Sequence, residues 1–173
     1  MRRAVHKPFV RTITAVRPAL GLVAALLAGH AHAHAAKADG AYTSDAEPRH
    51  HLSVVVAGTH IDAADETAFT LGLDYEYQVS ENLGVGTVVE QAFGAVDSTT
   101  VLAVADIHLW RGLAVQVGPG VEFVDDSEFA LGRLGAVYEF ELGDHLTAAP
   151  QMHYDMSEGE DAVVFGVAVG RAF

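Results

Sequence analysis

The residues of this chain that could do chemistry cluster in two short runs, Asp106-Ile107-His108 and His153-Tyr154-Asp155, each with a carboxylate and an imidazole two positions apart. In an extended strand that spacing puts both side chains on one face, where an acid can orient a histidine for proton transfer. A hydrolytic or transfer site would also need a nucleophile within reach. Cysteine is absent, and no serine or threonine of that face lies near both runs in sequence. The two pairs therefore read as polar filling, and no catalytic residue is assigned. Ten histidines raise the question of a metal. Zinc or copper needs three or four ligands converging at about 2 Å, and beyond residue 35 only His50 and His51 are neighbours. Neither a metal site nor a cofactor is expected.

The elements that must hold these groups follow a period of two that starts at His50. In "FTLGLDYEYQV", Phe69, Leu71, Leu73, Tyr75, Tyr77 and Val79 fall on one face, and Thr70, Gly72, Asp74, Glu76 and Gln78 on the other. A strand separates these sets and a helix would mix them. The same test marks eight strands, at roughly 51–60, 67–79, 83–94, 100–110, 113–124, 129–142, 146–156 and 162–173. Connections such as "SEN", "RG" and "GDH" are too short for parallel crossovers, so the strands form an antiparallel up-and-down meander. Closing that meander into a barrel removes the two edges that an open sheet would expose.

The two faces decide which way round the barrel is. One carries Leu71, Leu73, Val85, Val89, Leu109, Val117, Val121, Leu134 and Val167 and no carboxylate. The other collects Asp74, Glu76, Glu90, Asp106, His108, Glu122, Arg133, Glu139, His153 and Asp155 among glycines and alanines. An apolar outside around a polar, narrow lumen suits lipid, and strands of about 9 to 11 residues cross a bilayer when tilted. With the N-terminus periplasmic, the apolar-face rings form two belts, as membrane barrels require. Phe69, Phe93, Phe123, Tyr154 and Phe165 fall at the outer rim, and Tyr75, Tyr77, Tyr138, Phe140 and Phe173 at the inner rim.

Hairpin register predicts one specific interaction. Setting Leu142 opposite Leu146 places Arg133 across from Asp155, and centring the preceding outer loop between Ser127 and Glu128 places Arg133 beside Glu122. Glu122, Arg133 and Asp155 are thus expected to form an ion-paired tier that plugs the lumen.

The first 35 residues read as an address. Arg2, Arg3, Lys7, Arg11 and Arg17 precede the apolar run Ala19–Ala28, and the small residues of "GHAHAHAA" follow it, which is the arrangement of a secretory signal peptide. Residues 36–49 are polar and aperiodic and read as a flexible periplasmic lead-in, leaving 50–173 as the barrel. Beyond residue 35, five basic residues stand against 23 acids, a net charge of −18. That balance excludes nucleic acid as a partner.

The chain ends on Phe173, a bare aromatic residue on the apolar face of the last strand. In this, and in its meander and belts, the sequence from about residue 50 onward resembles the small eight-stranded, porin-like outer-membrane β-barrel proteins of Gram-negative bacteria. The resemblance implies that Phe173 is read by the barrel-assembly machinery, although Arg171 stands where such chains usually carry an apolar residue. It also implies a location in the outer membrane, among its lipids and lipopolysaccharide. The expected role is structural, or passive permeation of small solutes or cations. Two alternatives are a metal- or ligand-binding outer-membrane protein and a soluble periplasmic barrel enclosing an apolar ligand.

Overall fold

In a computed structural model of the chain, residues 49–62, 64–94 and 97–173 are described. The signal peptide expected over 1–35 and nearly all of the lead-in expected over 36–49 lie outside the described residues. The strands are β1 (His50–Ile61), β2 (Glu66–Ser80), β3 (Leu83–Phe93), β4 (Ser98–Trp110), β5 (Leu113–Val124), β6 (Ser127–Tyr138), β7 (Phe140–Gly143), β8 (Leu146–Ser157) and β9 (Ala162–Ala172). Each pairs antiparallel with its neighbours, β9 returns to β1, and β8 pairs with both β6 and β7. The sheet therefore closes on itself as an eight-staved barrel, with β6 and β7 two segments of one stave. That stave is the strand expected over 129–142, interrupted at Glu139, whose backbone N–H turns aside to donate to the Gly112 carbonyl at 2.7 Å.

Tight turns set the register. At the end that carries both termini of the barrel, Arg111 and Gly112 link β4 to β5 with φ of 46° and 83°. Two successive left-handed residues match the natural twist of a hairpin, and glycine takes the second position without strain. At the far end Asp125 adopts φ 51° in a two-residue turn that closes Val124 directly onto Ser127. This shortens the loop relative to the sequence expectation and shifts the hairpin. Glu122 pairs with Phe129, and Arg133 lies opposite Gly118, not Glu122. On the other side of the stave Arg133 lies opposite Asp155. A bulge between Glu141 and Gly143 sets Gly143, in place of the expected Leu142, across from Leu146.

Alternation sorts the side chains. Val54, Leu71, Leu134, Met152 and Val167 point outward and stay exposed, while Val55, Thr70, Val88, Gln116 and His153 point inward and are buried. The outward rings gather at the two ends. Phe69 and Phe93 are register partners stacked at 6.3 Å at the far end. At the terminal end Tyr138 and Phe140 meet at 4.7 Å, and His50 stacks on Phe173 at 5.6 Å across the β1–β9 seam. An apolar band of this size is untenable in water and is what a barrel offers to lipid.

Candidate lumen site

Arg133 lies at mid-height in the lumen and is 3% exposed. Its Nε and Nη2 donate to the two carboxylate oxygens of Asp155, both at 2.7 Å. Nη1 and Nη2 donate to Glu90 at 3.1 and 2.6 Å. Asp155 sits on the adjacent stave, as register dictates, but Glu90 belongs to β3 and is reached across the lumen past β4 and β5. A small residue makes room for the crossing at Gly72, where a Cβ would strike the Glu90 side chain; at Gly118 and Gly120 of β5 a Cβ would instead meet Ala103 and Val101 of the neighbouring stave. A guanidinium with two bidentate carboxylates uses its donors in the geometry it favours. Glu122 is not among those partners. It lines the far vestibule with Ser98, Asp155 and Ser157.

Towards the terminal end a second polar group crosses the lumen. His108 Nε2 lies 2.8 Å from Glu76 Oε1, bridging β4 and β2 over the intervening β3. Gly84 makes this possible, because a side chain there would fall on the Glu76 carboxylate. Gln116 donates through Nε2 to Asp106 at 3.0 Å and to Asp74 at 3.3 Å. His51 Nε2 meets the Thr147 hydroxyl at 2.8 Å, and its Nδ1 is 3.7 Å from Glu139. Asp106 and His108 thus turn to different partners and form no dyad. The second run behaves differently again. Asp155 binds Arg133, while His153, 1% exposed and seated against Gly135, has no hydrogen-bond partner on either ring nitrogen.

The two vestibules, ≈ 350 Å³ at the far end and ≈ 470 Å³ at the terminal end with the space open to solvent included, share no lining residue. Between them, with Arg133 and His153, stand Val55, Val88, Leu102 and Val104, all buried. These inward apolar residues were not singled out from the sequence. The signal was present, since they alternate in phase with Asp74 and Asp106, but a valine on the polar face of a strand draws no attention. Among the described residues no three His, Asp or Glu side chains converge as metal ligands.

Closure, inward charge and an outward apolar band with aromatic ends decide the architecture. The fold is that of the eight-stranded outer-membrane β-barrels. Solved structures agree. The N-terminal β-barrel domain of OprF from Pseudomonas aeruginosa superposes with a TM-score of 0.54 at 15% identity, covering 73% of this chain and 100% of that one. Ail, the attachment invasion locus protein of Yersinia pestis, gives 0.51 at 13% identity over 73% and 98%. A de novo designed transmembrane β-barrel gives 0.51 at 16% identity over 73% and 99%. No protein-family model matches the sequence, nor does any curated protein. In this outer-membrane-type barrel the Arg133–Glu90, His108–Glu76, Gln116–Asp74 and His51–Thr147 bonds join staves that are not neighbours in the sheet, whereas Arg133–Asp155 and Gln116–Asp106 join register partners.

Proposed function

We propose that the chain is an integral outer-membrane protein with a structural role, its lumen plugged at mid-height by Glu90, Arg133 and Asp155 and by the apolar residues beside them. The observation that carries this reading is the contrast between two consecutive residues: Arg133 is 3% exposed inside the barrel and Leu134 is 52% exposed outside it. A barrel built for water, with an apolar ligand inside, would reverse that pair. The terminal end then faces the periplasm, and the acidic far end, with Asp125, Asp126 and Glu128, faces the lipopolysaccharide. The basic start of the chain and its apolar run serve export, and Phe173 serves insertion by the barrel-assembly machinery. Eight staves leave an interior that side chains nearly fill, so passive flux is limited to water, protons or small cations.

Two measurements test the reading. The protein should partition with detergent-extracted outer membrane and run with heat-modifiable mobility on gels; recovery in the soluble periplasmic fraction would overturn the location. In planar bilayers the refolded barrel should give no conductance to organic solutes and at most a small cation current. A large, unselective pore current would remove the plug.

A further inference from the structure

Arg171 has no part in the plug, and it stands where an apolar residue is usual. It lies on the outward face of β9, next but one to Phe173, with Leu52 of β1 and Leu146 of β8 as its register partners. Leu146, Val169 and Phe173 around it are exposed and apolar, and Phe173 stacks on His50. Other charges of the terminal half are placed elsewhere. Asp74, Glu76, Asp106 and Glu139 line the vestibule, Glu141 lies opposite the inward-facing Thr147, Arg49 precedes β1, and Glu81, Arg111 and Asp144 belong to turns. Arg171 is therefore the one arginine or carboxylate on the outward strand faces of this half among the described residues. No described carboxylate forms an ion pair with it.

A cation on a lipid-facing strand costs most at the bilayer midplane and little near the interface. Arg171 stands in the terminal aromatic belt, so its aliphatic stem lies along the apolar surface while the guanidinium reaches the headgroups. There a planar guanidinium finds phosphodiester oxygens, which it binds with two parallel hydrogen bonds. A zwitterionic headgroup brings its own ammonium to that phosphate; an anionic one leaves the phosphate to the protein. We propose that Arg171 and the apolar side chains around it dock one anionic phospholipid of the periplasmic leaflet through its headgroup phosphate. The choice of leaflet rests on the proposed reading that the terminal end faces the periplasm. The far rim offers no counterpart. Asp125, Asp126, Glu128 and Glu160 crowd it, and among the described residues no lysine or arginine stands beyond Arg133 toward that end.

The test is contact quenching in vesicles, after insertion has been checked by heat-modifiable gel mobility. Trp110→Phe removes the single tryptophan, and Leu146→Trp then places a reporter opposite Arg171. Phosphatidylglycerol and phosphatidylcholine, each brominated in its acyl chains, compete to quench it. Phosphatidylglycerol should bind beside the reporter about fivefold more tightly, the attraction of one basic residue for anionic lipid. Arg171→Lys should keep a preference, because the charge remains, and Arg171→Leu should abolish it. A reporter at the far end of the same strand, Phe165→Trp, should show none. Equal quenching by the two lipids beside Arg171, an unchanged preference in an inserted Arg171→Leu barrel, or the same preference at the far reporter would each overturn the docking site and leave the membrane barrel standing. A chain that does not insert would overturn both.

Discussion

Replacing Arg133 with alanine should destabilise the refolded barrel by roughly 3 to 5 kcal/mol, the usual cost of breaking a buried ion pair from one side. The structure supplies the ledger. Four donor contacts between 2.6 and 3.1 Å are lost. Hydrogen bonds to charged groups contribute about 1.5 to 3 kcal/mol each, but the guanidinium and both carboxylates were themselves desolvated, which offsets much of that sum. What remains is chiefly the cost of leaving Glu90 and Asp155, 4% and 6% exposed, facing each other without a counter-charge. Urea unfolding in detergent, followed by fluorescence of Trp110, the single tryptophan, reads the change. A second variant isolates the cause. Arg133→Met combined with Glu90→Met and Asp155→Val removes every charge of the tier, and it should recover most of the lost stability, because replacing a whole buried ion network with apolar residues of similar volume costs little. A wild-type midpoint in Arg133→Ala would show the tier to be energetically idle. A triple variant as unstable as the single one would show that lumen packing, and not charge, was being measured.

Two further substitutions probe the outside of the barrel and its seam. Leu134→Arg, at mid-height on the apolar face, should cost about 2 to 4 kcal/mol in lipid; no loss of stability in vesicles would mean that this face meets water. Deleting Phe173 removes the 2.8 and 3.1 Å backbone bonds between its own main chain and His50, so refolded stability should fall by only about 1 to 3 kcal/mol. The yield of outer-membrane protein in cells should fall far more, and an equal modest loss in both assays would deny Phe173 a part in assembly.

The fold was legible because a strand's period is local. Phe69 to Val79 declares its two faces within eleven letters, and a closed meander is the arrangement in which every such strand keeps an apolar side and no edge. Register was less legible, because it hangs on turns whose length the letters leave open. Asp125 can end a long acidic loop or sit in a two-residue turn at φ 51°, and the structure has the second. That choice moves Arg133 from Glu122 to Gly118 on one side, while the hairpin to β8 keeps Arg133 opposite Asp155 on the other.

Contacts across the lumen are the least legible of all, and the reason is geometric. Glu90 and Arg133 are 43 positions apart on staves that share no ladder. Their meeting depends on how far the closed sheet staggers and on which intervening positions lack side chains, quantities that belong to the ring and not to any hairpin. What the sequence does carry is a set of vacancies. Gly72, Gly84 and Gly135 each stand where a Cβ would strike Glu90, Glu76 or His153. A glycine at lumen parity weakens a strand by entropy, and its presence there has two meanings. Gly72, Gly84 and Gly135 keep room for Glu90, Glu76 and His153, whereas at Gly86, Gly118 and Gly166 a Cβ would strike the backbone of the neighbouring stave, so those glycines mark close approach of strands and say nothing of a contact across the lumen.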